Sequence, residues 1–184
     1  MQKFCIYILF LILVLSAFAD EEMAQYSYAT ASSEGRYFFI MKSDPNNNWV
    51  TEKGSGIYEV KNDGTFKEIW RTEGWYSFKT FLSSDGLCLV RLGNWPRGRA
   101  PSNKHLAIAF YKEGRLIKSY STSDLIKDLS KVHPSVSHYQ YLDNSYKPVL
   151  EDYSTKFHIV TIDGLLYEFD ITTGKINEAK AYEK

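Results

Sequence analysis

The sequence predicts an all-β fold, an antiparallel meander of three repeats of four short strands with one short helix inserted. Three observations lead to this prediction. Apolar and polar residues alternate along most of the chain, which is typical of strands with one buried face. Short turn sequences that end in glycine separate the alternating segments. The same strand-and-turn pattern returns after about 50 residues, which indicates an internal repeat.

The first residues have the features of a secretory signal. Lys3 supplies a positive charge, residues 4–15 are apolar, and Ala-Phe-Ala at 17–19 matches the pattern that precedes a cleavage site. The apolar run is shorter than the roughly 20 residues that a membrane-spanning helix needs. We therefore predict a signal peptide at 1–19, one mature domain at 20–184, no membrane span after cleavage, and a secreted or periplasmic location. A retained anchor is the alternative.

Charge and cysteine content limit the functional class. The chain has 22 Lys and Arg against 22 Asp and Glu, and loss of Lys3 with the signal leaves a charge of −1, so no overall field attracts nucleic acid. Cys5 also leaves with the signal, so Cys88 has no intramolecular disulfide partner. Low cysteine usage fits a bacterial envelope protein. Cys88 alternates with Val90 and Leu92, which predicts a buried small hydrophobe rather than a reactive thiol.

The repeat is clearest around segment 75–95. Two extended arms flank Ser-Ser-Asp-Gly at 83–86, a strong hairpin signal, and the second arm at 87–92 is apolar on both faces, as in a strand that is covered on both sides. Ser-Ser-Glu-Gly at 32–35 stands 51 positions earlier. Residues 37–41 after it have apolar side chains at the same alternate positions as the second arm. This correspondence predicts the same first hairpin in two units.

A second hairpin supports the same period. Lys-Asn-Asp-Gly at 61–64 corresponds to Tyr-Lys-Glu-Gly at 111–114, 50 positions later. The flanking positions also correspond: Val60 with Phe110, Phe66 with Leu116, and Trp70 with Tyr120. A third copy has the arm 137–143 and a hairpin with Gly174, each 60 positions after its counterpart in the second unit.

The longer spacing to the third copy is explained by an inserted helix. Residues 121–132 are the one stretch with helical spacing, and they place Leu125, Ile126 and Leu129 on one face. Ser or Thr precedes the apolar positions as a cap, and Pro134 follows as a stop.

Four-stranded antiparallel units of this length resemble the blades of β-propellers. The resemblance covers residues 26–182 and is generic, since the chain has no residue signature of a named propeller family. Propellers usually close with about four to eight blades, and this chain has three units. It therefore forms a compact twisted β-structure, or closes by association with a second chain, or is a two-sheet sandwich.

Aromatic residues are expected in two places. Alternation puts one group in the core: Tyr37, Phe39, Phe66, Phe110 and Phe169. A second group lies on the leading strands of the three units and either lines a shared groove or packs between units: Tyr26, Tyr28, Trp75, Tyr76, Tyr139 and Tyr141.

The loop at 93–104 is the candidate binding segment, because two prolines and two glycines shape it and loops on rigid β scaffolds often carry function. We predict that Trp95, Arg97, Arg99 and Lys104 bind a ligand. An aromatic face takes a sugar ring or a cation, and guanidinium groups bind carboxylate, sulfate or phosphate. The alternative is that Trp95 closes the end of the core and the arginines pair with local carboxylates.

No pattern for catalysis or metal binding is found. The four histidines have no metal-ligand spacing, and the common nucleophile and phosphate-binding motifs are missing, so we predict no catalytic residues, no metal and no cofactor. The favoured function is an exported, non-enzymatic binding module whose partner is a protein or an anionic glycan. Two alternatives stay open: a glycan hydrolase with dispersed carboxylates, and a structural subunit that associates through exposed β edges, including with itself.

Overall fold

The computed structural model describes residues 22–44 and 54–183. Its twelve described strands form three antiparallel four-stranded sheets, and each sheet consists of four consecutive strands. The predicted signal peptide and the predicted start of the mature domain at residue 20 fall outside these residues. Within the described ranges, no helix has the length and apolar character needed to cross a membrane.

The elements follow the chain in three groups. Sheet I contains β1 (Tyr28–Ala31), β2 (Tyr37–Met41), β3 (Ser55–Val60) and β4 (Phe66–Thr72). Sheet II contains β5 (Thr80–Leu82), β6 (Cys88–Leu92), β7 (Leu106–Lys112) and β8 (Arg115–Ser121). Helix α1 (Thr122–Leu125) and a 3-10 turn (Leu129–Lys131) follow. Sheet III contains β9 (Val149–Leu150), β10 (Lys156–Val160), β11 (Leu165–Asp170) and β12 (Lys175–Ala181).

The first hairpins of sheets I and II are built alike, as the sequence repeat predicts. In sheet I, the N–H of Ser32 donates to the carbonyl of Tyr37 at 2.8 Å, and that of Gly35 donates to Ser32 at 2.9 Å. The two corresponding bonds 51 positions later in sheet II both measure 3.0 Å. Gly35 and Gly86 have φ values of +71° and +72°, a left-handed conformation that glycine adopts without steric cost.

Sheet III departs from the predicted repeat. The hairpin around Gly174 is present, but residues 137–143 do not form a continuous first strand. Instead Leu142 pairs with Thr161, and β9 pairs with β10 further along the same edge. Residues 143–148 interrupt this edge, because they begin with a turn in which Asp143 Oδ1 accepts from the N–H of Ser145 (2.8 Å) and they end with a proline, which has no N–H to donate to a ladder.

Sheet II lies between two hydrophobic cores. One core joins sheets I and II through Phe39, Ile57, Trp75, Leu89 and Tyr111, and the other joins sheets II and III through Val90, Phe110, Phe157, Tyr167 and Phe169. This arrangement confirms that the second arm of the central hairpin is covered on both faces. Cys88 is 3% exposed, and burial raises the pKa of its thiol to about 11.

The predicted helix is shorter than its spacing indicates. Ser121 and Asp124 form a capping box, with the Asp124 N–H donating to Ser121 Oγ at 3.2 Å and the Ser121 N–H donating to Asp124 Oδ2 at 2.7 Å. Leu125 and Ile126 are buried, but the prediction for Leu129 is wrong, since it is 63% exposed. The backbone becomes extended at Ile126, so Leu129 belongs to a separate 3-10 turn.

Core predictions for the aromatic residues are mostly confirmed. Phe39, Phe110 and Phe169 are fully buried, and Tyr37 is partly buried against the core of sheets I and II. The prediction for Phe66 is wrong, because its side chain is 63% exposed. Phe66 lies on the last strand of sheet I and pairs with Val60, on the face of the sheet that points away from sheet II.

Candidate functional site

A groove of about 440 Å³ opens beside Trp95. Its walls come from Met23 ahead of β1, Phe78 and Lys79 ahead of β5, residues 92–96 at the end of β6, and residues 138–142 with Asn144 ahead of β9. The groove therefore joins segments that precede the first strand of each sheet. Its size lies within the range of small-molecule binding sites, which are mostly apolar with a few polar groups.

Trp95 forms one wall of this groove and is half-buried. Its ring meets the ring of His138 edge to face, with the centroids 3.9 Å apart. His138 is held in turn by Ser135, whose Oγ lies 2.7 Å from Nδ1, and its backbone forms a bridge with Arg97. Trp95 belongs to neither hydrophobic core, is partly buried, and lines the groove.

The loop that carries Trp95 is held at fixed points. Tyr141 Oη lies 3.0 Å from the carbonyl oxygen of Gly93 and 3.1 Å from that of Ala107, within donor distance of both. The N–H of Tyr139 donates to Pro96 at 3.3 Å. A Cβ at Gly93 would lie 1.8 Å from the carbonyl oxygen of Leu106, so only glycine fits there. These contacts place the loop on the start of β7.

The polar side chains that line the groove are three amides, the His138 imidazole, two tyrosines and one lysine. Asn94 Oδ1 accepts from the Phe78 N–H at 3.1 Å, and its Nδ2 donates to the carbonyl of Tyr76 at 2.8 Å, so this amide fastens the wall. Asn144 Nδ2 donates to Gln140 Oε1 at 3.0 Å at the rim. Lys79 is the one Lys, Arg, Asp or Glu among the described residues that line the groove, and its Nζ lies over the ring of Phe81, 5.8 Å from the centroid. The groove can therefore accept an apolar or ring-shaped ligand with a negative group.

The four sequence-predicted site residues are only partly brought together. Trp95 lines the groove, whereas Arg97, Arg99 and Lys104 are exposed and lie outside its lining. Arg97 Nη2 pairs with Glu22 Oε2 at 2.9 Å, with 74% of the arginine side chain exposed. Lys79 was missed, because it stands in a strand segment 16 positions before Trp95 and no local pattern marks it.

The aromatic residues of the leading strands divide between groove and packing. Tyr139 and Tyr141 line the groove, but they are only 1% and 6% exposed and belong to the core between sheets II and III, so they also pack between units. Tyr26 and Tyr76 instead hydrogen-bond to each other. Tyr76 Oη donates to the Tyr26 carbonyl at 2.8 Å and accepts from the Tyr26 N–H at 3.1 Å. Tyr28 Oη donates to the carbonyl of Ser77 at 2.8 Å. These bonds join sheets I and II.

A smaller groove of about 170 Å³ lies at the other ends of the first strands. It is lined by residues at the ends of β1, β5 and β9 and just beyond them: Thr30, Ala31, Ser33, Phe81, Leu82, Ser84 and residues 150–153. Tyr153 Oη donates to Glu34 Oε1 at 3.0 Å. Among the described residues, no group of three or more His, Cys, Asp or Glu is arranged to hold a metal ion.

Two carboxylates, Glu168 and Glu59, are held in ion pairs. Glu168 accepts from His158 Nε2 and Lys156 Nζ, both at 3.1 Å, and the bond from His158, followed by that from Lys156, lowers the pKa of Glu168 to about 2. In the same way, Lys61 and Arg36 lower the pKa of Glu59 to about 2. A general acid that works near neutral pH needs a raised pKa, and neither carboxyl has one.

A partly buried arginine lies between sheets I and II. The Arg91 guanidinium stacks over the ring of Trp75 at 4.4 Å, and its Nη1 donates to Tyr111 Oη at 3.4 Å. Burial lowers the pKa of Arg91, and its Nε has no hydrogen-bond partner in the described part of the chain. Arg91 lines none of the grooves described above, so it supports packing of the two sheets rather than a site.

Comparison with protein-family models and with curated proteins gives no match for this chain.

Proposed function

We propose that this protein is an exported binding module that holds an acidic glycan in the groove beside Trp95. The proposal depends on one observation: the partly exposed rings of Trp95 and Phe78 and the side chain of Lys79 line the same groove, which the buried Tyr139 and Tyr141 also line. Aromatic faces pack on sugar rings, and an ammonium group attracts the carboxylate of an acidic sugar.

Charges near the groove favour an anionic ligand. Lys79 lies in the lining, and Arg97, Arg99 and Lys104 follow on the loop that carries Trp95. An oligosaccharide longer than the groove would extend past the loop, where the exposed Arg99 and Lys104 attract its further carboxylates and Arg97, already paired with Glu22, contributes less. Because such contacts are exposed, salt weakens them.

Two broader features are part of the proposal. Residues 1–19 direct export and are then removed, which brings the domain to the periplasm or the cell exterior. The three sheets are arranged like propeller blades, with their first strands innermost. Support for this arrangement comes from the two grooves, each of which is lined by segments next to β1, β5 and β9.

Isothermal titration with an oligosaccharide of hexuronic acid units, compared with its neutral hexose analogue, tests the proposal. We expect the acidic probe to bind, Trp95→Ala to abolish binding, and Lys79→Gln to weaken binding of the acidic probe. Replacing Arg97 and Arg99 together by alanine should weaken binding more at low salt than at high salt. Lys175→Gln on β12 is the matched control and should change nothing.

The proposal is overturned if neither probe binds, or if Trp95→Ala binds as tightly as the wild type. Equal affinity for the acidic and neutral probes would contradict the role of the cations. The hydrolase alternative predicts cleavage of the probe, which chromatography of the titrated mixture detects.

A further inference from the structure

Sheet I has an apolar outer face, on the side away from sheet II. Register places its members together, because directly paired residues share a face: Ala29 with Ile40, Ala31 with Phe38, Phe38 with Tyr58, and Val60 with Phe66. Three of the rings form a cluster. Phe38 stacks on Tyr58 with centroids 5.5 Å apart, and Phe66 meets Phe38 edge to face at 5.1 Å.

No described strand or helix covers this face. Its apolar residues belong to neither hydrophobic core, and Phe66 is 63% exposed. The internal repeat shows that the corresponding face of sheet II has a neighbouring sheet, which this face lacks. Phe38 corresponds to Leu89 of sheet II, 51 positions later, and Leu89 is fully buried against sheet I. Sheet I therefore presents to the outside the same face that sheet II buries against its neighbour.

The opposite end of the stack has a different surface. The outer face of sheet III carries Lys156, His158 and Glu168, joined by ion pairs, and Lys180 pairs with Glu178 on the last strand. Terminal units of repeat proteins need a polar outer face to stay soluble. Sheet III meets this requirement and sheet I does not.

We propose that the outer face of sheet I is a dimer interface that packs against the same face of a second copy of this chain. A twofold dimer brings apolar face to apolar face, whereas head-to-tail stacking would place the apolar face on the charged outer face of sheet III. On this face Glu68 pairs with Arg71 at 2.6 Å, and Lys42 lies close enough to add, after Arg71, to the lowering of the Glu68 pKa. Two sheets can pack face to face about 10 Å apart.

The size of the face sets the strength of the dimer. Four strands about 4.8 Å apart and about five residues long cover roughly 300 Å² per copy. Stable complexes bury about 800 Å² per partner, so this face is small for an interface and the dimer is weak and concentration-dependent.

Sedimentation velocity over a concentration series up to the millimolar range tests the proposal with the mature protein. We expect the wild type to shift from monomer to dimer, and Phe66→Glu to raise the dissociation constant by about tenfold or more, because an interfacial charge would lose its water. Leu116→Glu is the matched control, since Leu116 occupies the corresponding position of sheet II and is 56% exposed. It should dimerise like the wild type.

Three outcomes overturn the inference: a wild type that stays monomeric throughout, a Phe66→Glu variant that dimerises like the wild type, or assembly beyond the dimer, which a closed twofold contact does not permit. Circular dichroism confirms that the variant is folded. If Phe66→Glu does not fold, Phe66→Gln provides the same comparison with a smaller change. The test requires no glycan and is independent of the proposed function.

Discussion

Replacing Trp95 by alanine distinguishes a binding surface from a core position. Trp75 provides the scale, because it is 7% exposed and contacts Phe39, Tyr111 and Arg91. Truncating such a tryptophan to alanine costs about 3–5 kcal/mol. For a chain of this size, about 1 kcal/mol shifts the melting temperature by roughly 2–4 °C, so Trp75→Ala should lower it by roughly 6–20 °C.

The expected effect at Trp95 is smaller. Its ring is half-buried, packs mainly on His138 and lies outside both cores, so about half or less of the core cost applies, roughly 1–2 kcal/mol or 2–8 °C. Thermal melts of both variants and the wild type, followed by circular dichroism in one buffer, give the comparison. A fall for Trp95→Ala as large as that for Trp75→Ala would make Trp95 a core residue and remove the basis for a ligand platform.

Three further predictions follow from burial and charge. Cys88 should resist thiol reagents in the folded protein, because its thiol is buried with a pKa of about 11, and unfolding should release one reactive thiol per mature chain, or two if Cys5 is retained. Glu168 has a folded pKa of about 2, below its ordinary 4.5, so its stabilising effect is complete above about pH 4.5 and is lost as the pH falls towards 2. Urea titrations should therefore show Glu168→Gln less stable than the wild type at neutral pH, with the difference vanishing near pH 2. In the same assay Leu125→Ala should lower the free energy of unfolding by about 2–5 kcal/mol. Leu129→Ala should lower it by less than about 0.5 kcal/mol, because only Leu125 is buried.

Local signals in the sequence predicted the repeat well. The turns at 32–35 and 83–86 form because short-range hydrogen bonds and a left-handed glycine depend only on neighbouring residues. Burial of Cys88 followed from an arm that is apolar on both faces. These features do not depend on how the sheets are placed in space.

The wrong predictions depend on long-range placement. Alternation puts Phe66 on one face of a strand, but it cannot show that this face has no neighbouring sheet. Helical spacing grouped Leu129 with Leu125, although the helix ends after one turn. In the third unit, residues 143–148 split the first strand, and a repeat offset cannot reveal such an interruption.

Only part of the candidate site could be predicted from the sequence, because some of its residues come together only through long-range placement. Trp95 stands in a loop with unusual composition, and Tyr139 and Tyr141 alternate on an apparent strand, so each was visible locally. Lys79 was not, because it reaches the groove only through the pairing of β5 with β6, which brings the start of one strand beside the end of the other.

The two proposed surfaces are separate in the structure. The groove is lined by segments that precede the first strands, whereas the apolar outer face consists of residues within β1 to β4, and the described residues share no member between them. Association through Phe66 therefore leaves the Trp95 groove open in both copies. A dimer would present two grooves on one particle, and an oligosaccharide long enough to reach both would bind more tightly than a short one. Phe66→Glu should then remove this length dependence while leaving the affinity for a short probe unchanged.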